Sequence, residues 1–455
     1  MSVNNRSTAN PLLGSSQAWI ICGMAMLFYC FNYFIRVSPS VMQSELSQAF
    51  HINATQFGVL ASFYYWAYTP MQLPAGMLYD KFGARFVLCL ACLTAVIGLG
   101  IFISADSYGV AGSGRFLIGL GCAFAYIGVL KLASIWLPPN RFATVAGLTT
   151  AVGMFCAALS QNYLASVVHI IGYKEALRSI LFIGFILSGL IVLIVRNRPK
   201  QLVNQIDLMH TPMNSKQLFS SVWIILRNPQ MWLIGMIGLL LYLPSSVALD
   251  LWGNSYLKVA YHLTTQQALT VTNLMYLGWI ISGPIIGAYS DKIQRRCLPL
   301  IVTTAIAATL LCVVFYVPGI TTNQLYFIIF GIGFSCGAHP LCFSLGKENC
   351  PNRISGTAVA VTNMFIMLGG LIFQPLVGKL LDLHTTSPLG PNGLPIYTAS
   401  DYTFALSVVP LGIVLSFFLC LLVKETYCRS RAKEEDELVF AHPSAMKLAA
   451  EAELG

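Results

Sequence analysis

GMLYDKFGAR, residues 76–85, decides the fold of this chain, because it returns as GAYSDKIQRR at residues 287–296. The match pairs Gly76 with Gly287, Asp80 with Asp291, Lys81 with Lys292 and Arg85 with Arg296, each 211 residues apart. A second motif repeats at nearly the same distance. GLG…PNR (Gly119, Gly121, Pro139, Asn140, Arg141) comes back 212 residues later as GIG…PNR (Gly331, Gly333, Pro351, Asn352, Arg353). Two unrelated motifs sharing one offset indicate two halves of the parallel-repeat type.

The sequence around these motifs is apolar. Of 455 residues, 56% are hydrophobic and 9% charged, against about 25% charged in soluble domains. Apolar runs long enough to cross a hydrocarbon core of about 30 Å recur throughout. They predict twelve helices at 18–41, 55–78, 86–105, 109–136, 142–166, 178–196, 229–252, 266–289, 298–317, 323–346, 355–381 and 403–424. A β-barrel is excluded, since its strands would be about 10 residues long and alternate in polarity. The expected fold is an all-α membrane protein of twelve transmembrane helices in two six-helix halves. Its parts are an N-terminal tail (1–17), a first bundle (18–196), a linker (197–228), a second bundle (229–424) and a C-terminal tail (425–455). Trp19, Trp136 and Trp252 fall at span ends and read as an interfacial belt.

The net charge of +9 has a topological source. With the N-terminus placed in the cytoplasm, the inner tails and loops hold 19 of the 26 Lys and Arg. The outer loops hold four: Lys174, Arg178, Lys258 and Lys379. This bias puts both termini in the cytoplasm, and the basic residues need no nucleic-acid partner. The thirteen cysteines lie mostly inside spans. Cys89 and Cys92 have no nearby His or acid and suggest no metal. No cofactor is implied. The polar N-terminus precedes a span too long for a signal-peptide core, so it is expected to be retained.

The loop at 76–85, its degenerate copy, Arg115 followed by Gly119 in the fourth span, and the 6+6 plan resemble the major facilitator superfamily over nearly all of residues 18–424. The resemblance implies a transporter whose halves rock about a substrate, and a gate built from Gly76, Asp80, Lys81, Gly83 and Arg85 with Gly287, Asp291, Lys292 and Arg296. Gly76 and Gly83 would permit close helix approach. Asp80 would pair with a basic residue or a helix N-terminus across the seam between the halves. Arg115 resembles a residue that packs against the first span and is read as structural.

FNYFIRVSPSVM (31–42) with the second span resembles the branch containing anion:cation symporters and sugar-acid carriers. That branch ends its first span in N-Y-x-D-R, where the arginine meets a substrate carboxylate. Asn32, Tyr33 and Arg36 keep this pattern, and a forked guanidinium suits a carboxylate in a dry cavity. The competing reading of Arg36 is a side chain that snorkels to the headgroups. Lys131, in the inner third of the fourth span, carries the same two readings. Three span cations and no deep acid in the first half favour carboxylates over cationic solutes.

Departures from the branch bear on coupling. Its symporters carry acids where this chain has Ile35 and Cys122, so the usual proton carriers are missing. His339, Asp250 and Glu348 are the candidate proton sites. Tyr64, Tyr65 and Tyr68, Asn273 and Tyr276, Asn363 and Gln374 are candidate substrate contacts, with helix–helix hydrogen bonding as the alternative for the amides.

The favoured function is a secondary transporter of a small carboxylate-bearing solute, an amino acid or short peptide. The alternatives are a proton-coupled symporter of sugar acids or organic anions and, in another class, a non-transporting receptor on the same scaffold. No nucleotide-binding loop, GxSxG or HExxH motif appears, so the chain is not read as an enzyme. The partners expected are the solute, the lipid bilayer and protons as a candidate coupling ion. The chain is expected to work as a monomer in a bacterial inner membrane.

Overall fold

The computed structural model describes residues 16–138, 141–197, 215–351, 354–387, 389–390 and 392–429. The predicted tails and linker lie mostly outside the described residues, as do Pro139, Asn140, Asn352 and Arg353 of the repeated motif.

The described residues are helical nearly throughout. In order come α1 (Ser16–Val37), α2 (Gln43–Phe50), α3 (Ala54–Phe82), α4 (Ala84–Ser104), α5 (Tyr108–Cys122), α6 (Ala125–Trp136), α7 (Phe142–Ile171), α8 (Tyr173–Ile194) and α9 (Ser215–Arg227). Then follow α10 (Pro229–Leu243), a π-helical stretch (Pro244–Trp252), α11 (Gly253–Ala260), α12 (Thr265–Ile293), α13 (Cys297–Tyr316), α14 (Thr322–Cys336), α15 (Leu341–Glu348), α16 (Ser355–His384), α17 (Ala399–Leu406) and α18 (Val408–Cys420). Among the described residues, eleven spans, several built from two consecutive helices, are long and apolar enough to cross a bilayer. The twelfth is α3. It has 29 residues, more than the roughly 20 required, but Gln56, Gln72, Asp80, Lys81 and several tyrosines dilute its apolar character.

Two compact units divide the chain. Of the described residues, one holds those up to Ser38 and from Trp66 to Asn197; the other holds Pro39–Tyr65 and those from Ser215 onward. Residues 39–65, which the sequence places in the first bundle (18–196), pack with the second unit. Packing explains it. A Cβ on Gly58 would lie 2.5 Å from the carbonyl oxygen of Gln374, one on Gly370 would overlap the Tyr65 ring, and one on Gly378 would overlap the Ala54 carbonyl. Small residues let the first part of α3 and α16 approach backbone to backbone.

Within the first unit, Gly98 and Gly114 play the same part between α4 and α5, and Gly121 packs on Ala91 and Ala95 of α4. The fourth span breaks between α5 and α6. Side chains of α3 bind the carbonyls at the break: Gln72 Nε2 donates to Ala123 O at 3.3 Å, and Tyr79 Oη donates to Phe124 O at 2.7 Å, an oxygen that also accepts the Gly128 N–H at 2.9 Å. Within the second unit the tenth span breaks likewise, at Gly337–Pro340 between α14 and α15. Buried partners of this kind are what allow non-helical backbone inside a membrane.

Two of the tryptophans read as belt are core residues instead. Trp136 is 2% and Trp252 0% exposed, because each indole N–H has a backbone acceptor, Arg196 O at 3.1 Å and Gln374 O at 3.2 Å. Trp19 is 37% exposed.

Candidate functional site

In the first unit, Arg36 sits in the last turn of α1 and is 4% exposed. That burial decides against snorkelling, which needs the guanidinium in the headgroup layer. Its guanidinium carbon lies 5.3 Å from the centre of the Tyr33 ring, within cation–π range. The backbone beneath it is pinned by three side chains. Ser160 Oγ of α7 donates to Phe34 O at 3.0 Å, and Ser38 Oγ to Ile35 O at 3.0 Å. Arg115 of α5 donates to Ile35 O at 2.9 Å and to Arg36 O at 3.4 Å. The last carbonyls of a helix lack intrahelical donors, so Arg115 meets a need and fixes the turn that carries Arg36. Asn32 and Tyr33 are buried beside it. Gly153 of α7 leaves room for the rings of Tyr29 and Tyr33.

The motif at 76–85 forms a second cluster in this unit. Asp80 Oδ1 and Lys131 Nζ are 2.6 Å apart, their side chains 34% and 29% exposed. Lys131, read as a cavity cation, is thus held as the partner of a motif acid. Gly83 has φ +81°, which favours glycine. Arg85 donates from Nε to Val192 O at 2.9 Å, and its backbone N–H donates to Asn197 Oδ1 at 2.8 Å. Lys81 is exposed over the Phe82 ring. The close approach expected at Gly76 is absent: a Cβ there, and at Gly287, meets no described atom within 4 Å.

The repeat of the motif in the second unit is more elaborate. Arg296 donates to Glu348 Oε1 from Nε at 3.1 Å and from Nη2 at 3.0 Å, and to Asp291 Oδ1 from Nη1 at 2.6 Å. The backbone N–H groups of Arg296 and Cys297 donate to Glu425, at 2.7 and 2.9 Å. Glu425 therefore does for α13 what Asn197 does for α4: each follows the sixth helix of its half and caps the third. Glu348, a candidate proton site, is committed to this cluster. Lys292 is exposed.

Asp250 and Gln374 meet around the π-helical stretch. Asp250 is 3% exposed and accepts from Tyr65 Oη at 3.0 Å. Gln374 Nε2 donates to Ser246 O at 2.7 Å. π-Helical segments leave carbonyls out of register and recur at functional sites. Tyr64 is fully buried, its ring 5.2 Å from that of Tyr65 in an edge-on arrangement. Tyr68 is buried in the first unit; Asn273 of α12 and Asn363 of α16 are half-buried. His339 lies at the α14–α15 break, caged by Tyr242 and Trp279, each 5.3 Å away, and by Phe343 at 5.6 Å. Its Nδ1 has no hydrogen-bond partner among the described residues.

A cluster absent from the sequence reading joins α16 to the start of α3. Asp382 accepts the backbone N–H groups of Ala54, at 3.3 Å, and Thr55, at 2.8 Å, together with the hydroxyls of Thr55 and Tyr397. Burial, then the Asp382 carboxylate, pushes the Tyr397 phenol up, which keeps it a donor. An acid closing the long apolar run of 355–381 was the available signal. Asn197 and Glu425 had none that a linear motif carries.

The Major Facilitator Superfamily model matches residues 23–374. The uncharacterized transporter YybO of Bacillus subtilis is 26% identical over 403 residues, covering 80% of this chain and 88% of that protein. The probable galactarate/D-glucarate transporter GudP of Escherichia coli is 24% identical, covering 84% and 90%. The probable sulfoacetate transporter SauU of Cupriavidus necator is 23% identical, covering 61% and 66%. Among solved structures, a bacterial homolog of the human lysosomal transporter Spinster superposes with TM-score 0.66 at 14% identity, over 91% of this chain and 97% of that one. The nucleoside transporter NupG gives 0.66 at 14%, over 90% and 100%; both likenesses speak to the fold. Repeated motif, twelve spans and matched model agree: this chain belongs to the Major Facilitator Superfamily and is a membrane transporter.

Proposed function

We propose that the chain carries a small hydroxylated carboxylate of the sugar-acid class by alternating access, with Arg36 as the group that grips the carboxylate. The observation that carries the reading is a buried arginine in α1 whose supporting carbonyls are bound by Arg115, Ser38 and Ser160. A guanidinium has planar paired donors that match the geometry of a carboxylate. The similarity to GudP, a probable galactarate/D-glucarate transporter, supports this class over the amino acids and peptides favoured from sequence, and that to SauU, a probable sulfoacetate transporter, supports an organic anion. Asp250 is the candidate coupling acid in this scheme, since Glu348 is bound in an ion-pair cluster and His339 in an aromatic cage. The proposed setting remains a bacterial inner membrane with cytoplasmic termini, and a working monomer.

The test is uptake by proteoliposomes of galactarate, glucarate, sulfoacetate and a panel of amino acids and dipeptides, with and without an imposed proton gradient. Hydroxylated carboxylates should be taken up, and Arg36→Ala should abolish the flux while elution as folded protein is kept. Arg36→Lys retains charge but not the fork; losing a charge-assisted bond of about 1.5–3 kcal/mol should slow uptake roughly tenfold to a hundredfold. Uptake confined to amino acids or peptides sinks the sugar-acid reading. Full activity in Arg36→Ala sinks the assigned role.

A further inference from the structure

Helix α9 (Ser215–Arg227) precedes the seventh span and belongs to none of the sites above. Its sequence, SKQLFSSVWIILR, buries one stripe: Leu218, Ser221 and Ile225 are 9%, 3% and 0% exposed. These positions, three and four residues apart, form one helical face, and α9 packs on α10 and α16. A second face is also apolar but is covered by nothing described. Phe219 is 74% and Trp223 59% exposed, one turn apart. Lys216 and Arg227 are exposed at the two ends, and the helix contains no acid. The Arg227 guanidinium carbon lies 5.2 Å from the centre of the Trp223 ring.

The corner after α9 is fixed. Trp232 Nε1 donates to Leu226 O at 2.8 Å, Asn228 Oδ1 caps α10 through Gln230 N at 3.0 Å, and Asn228 Nδ2 donates to Asn349 O at 3.0 Å. The apolar span begins at Pro229, two residues beyond the end of α9, so the last turn of α9 lies at the level where hydrocarbon begins. The exposed indole of Trp232 marks that level, since tryptophans concentrate at the interface.

We propose that α9 lies in the membrane interface at the basic end of the transporter, inserts Phe219 and Trp223 among the lipids, and recruits anionic phospholipid headgroups through Lys216 and Arg227. Two exposed aromatics would leave water for the acyl boundary, as on other interfacial helices. A basic residue near an anionic surface gains about 1 kcal/mol, or roughly fivefold in local lipid preference. A helix with a cation at each end and no carboxylate therefore selects acidic over zwitterionic headgroups.

The experiment uses full-length protein in vesicles of phosphatidylcholine with phosphatidylglycerol, one lipid at a time brominated near the headgroup. The Trp223 signal is the difference between wild type and Trp223→Phe. That signal should be quenched by brominated lipid and spared by aqueous acrylamide. Brominated phosphatidylglycerol should quench it more strongly than brominated phosphatidylcholine, and Lys216→Gln with Arg227→Gln, or high salt, should erase the preference. Quenching by acrylamide alone places the face in water and overturns the proposal. Quenching by neither places it under protein and overturns it too. Equal quenching by both lipids, untouched by the double variant, refutes the selection of acidic headgroups. None of these readings depends on transport, so failure of the sugar-acid assignment leaves them intact.

Discussion

Asp382 caps a helix that begins more than three hundred residues earlier in the chain. Its carboxylate accepts the N–H of Ala54 and, at 2.8 Å, that of Thr55, the first two residues of α3. A helix start exposes unsatisfied N–H groups and positive dipole potential, and an acid there meets both.

Asp382→Ala should therefore cost about 1–2 kcal/mol, the range for losing an N-terminal cap. The expected outcome is a lower Tm for the purified transporter in detergent, with Tyr397→Phe adding less than its separate effect because both act on one cluster. An unchanged Tm would refute the capping role.

Asp80 and Lys131 offer a test between a gate pair and a substrate cation. Both side chains are about a third exposed, so their mutual stabilisation should be only about 0.2–1 kcal/mol. Asp80→Asn and Lys131→Met should each slow uptake, and the double variant should be no slower than the worse single one. If Lys131→Met raises KM in the Asp80→Asn background by as much as in wild type, Lys131 serves the solute and not the acid.

Glu425 should make stability depend on pH. Burial pushes its carboxyl up, and the amides of Arg296, Cys297, Tyr427 and Thr426 more than reverse this, leaving it below the ordinary value of 4.5. A depressed carboxyl contributes stability that is fully present above the ordinary value and is lost as pH falls through the lowered one. Glu425→Gln should lower Tm at neutral pH, and its gap to wild type should close only below pH 4.5. A gap constant down to the lowest accessible pH would count against the cap.

Gly378→Val places a branched side chain where Cβ already overlaps the Ala54 carbonyl. Overpacking against backbone costs about 1–3 kcal/mol, so Tm should drop. Gly76→Ala, with open space around its Cβ, should leave Tm within the error of measurement. Equal Tm values for the two variants would contradict the packing described between α3 and α16.

The sequence by itself determined the architecture. Hydrocarbon requires about 20 apolar residues per crossing, so spans are written as composition, and duplication leaves its offset between Asp80 and Asp291. It also marked Arg36, because an ionised group in a span is costly enough to need a reason. Which groups meet was decided only by tertiary structure. Lys131 could face a cavity, the headgroups or a motif acid, and helix packing gave it Asp80. Burial of Trp136 and Trp252 depended on acceptors at Arg196 and Gln374, and α3 and α13 take caps from Asp382 and Glu425. Hydrogen bonds at helix ends are set by distance in space. No local periodicity records a partner that lies a hundred or three hundred residues away.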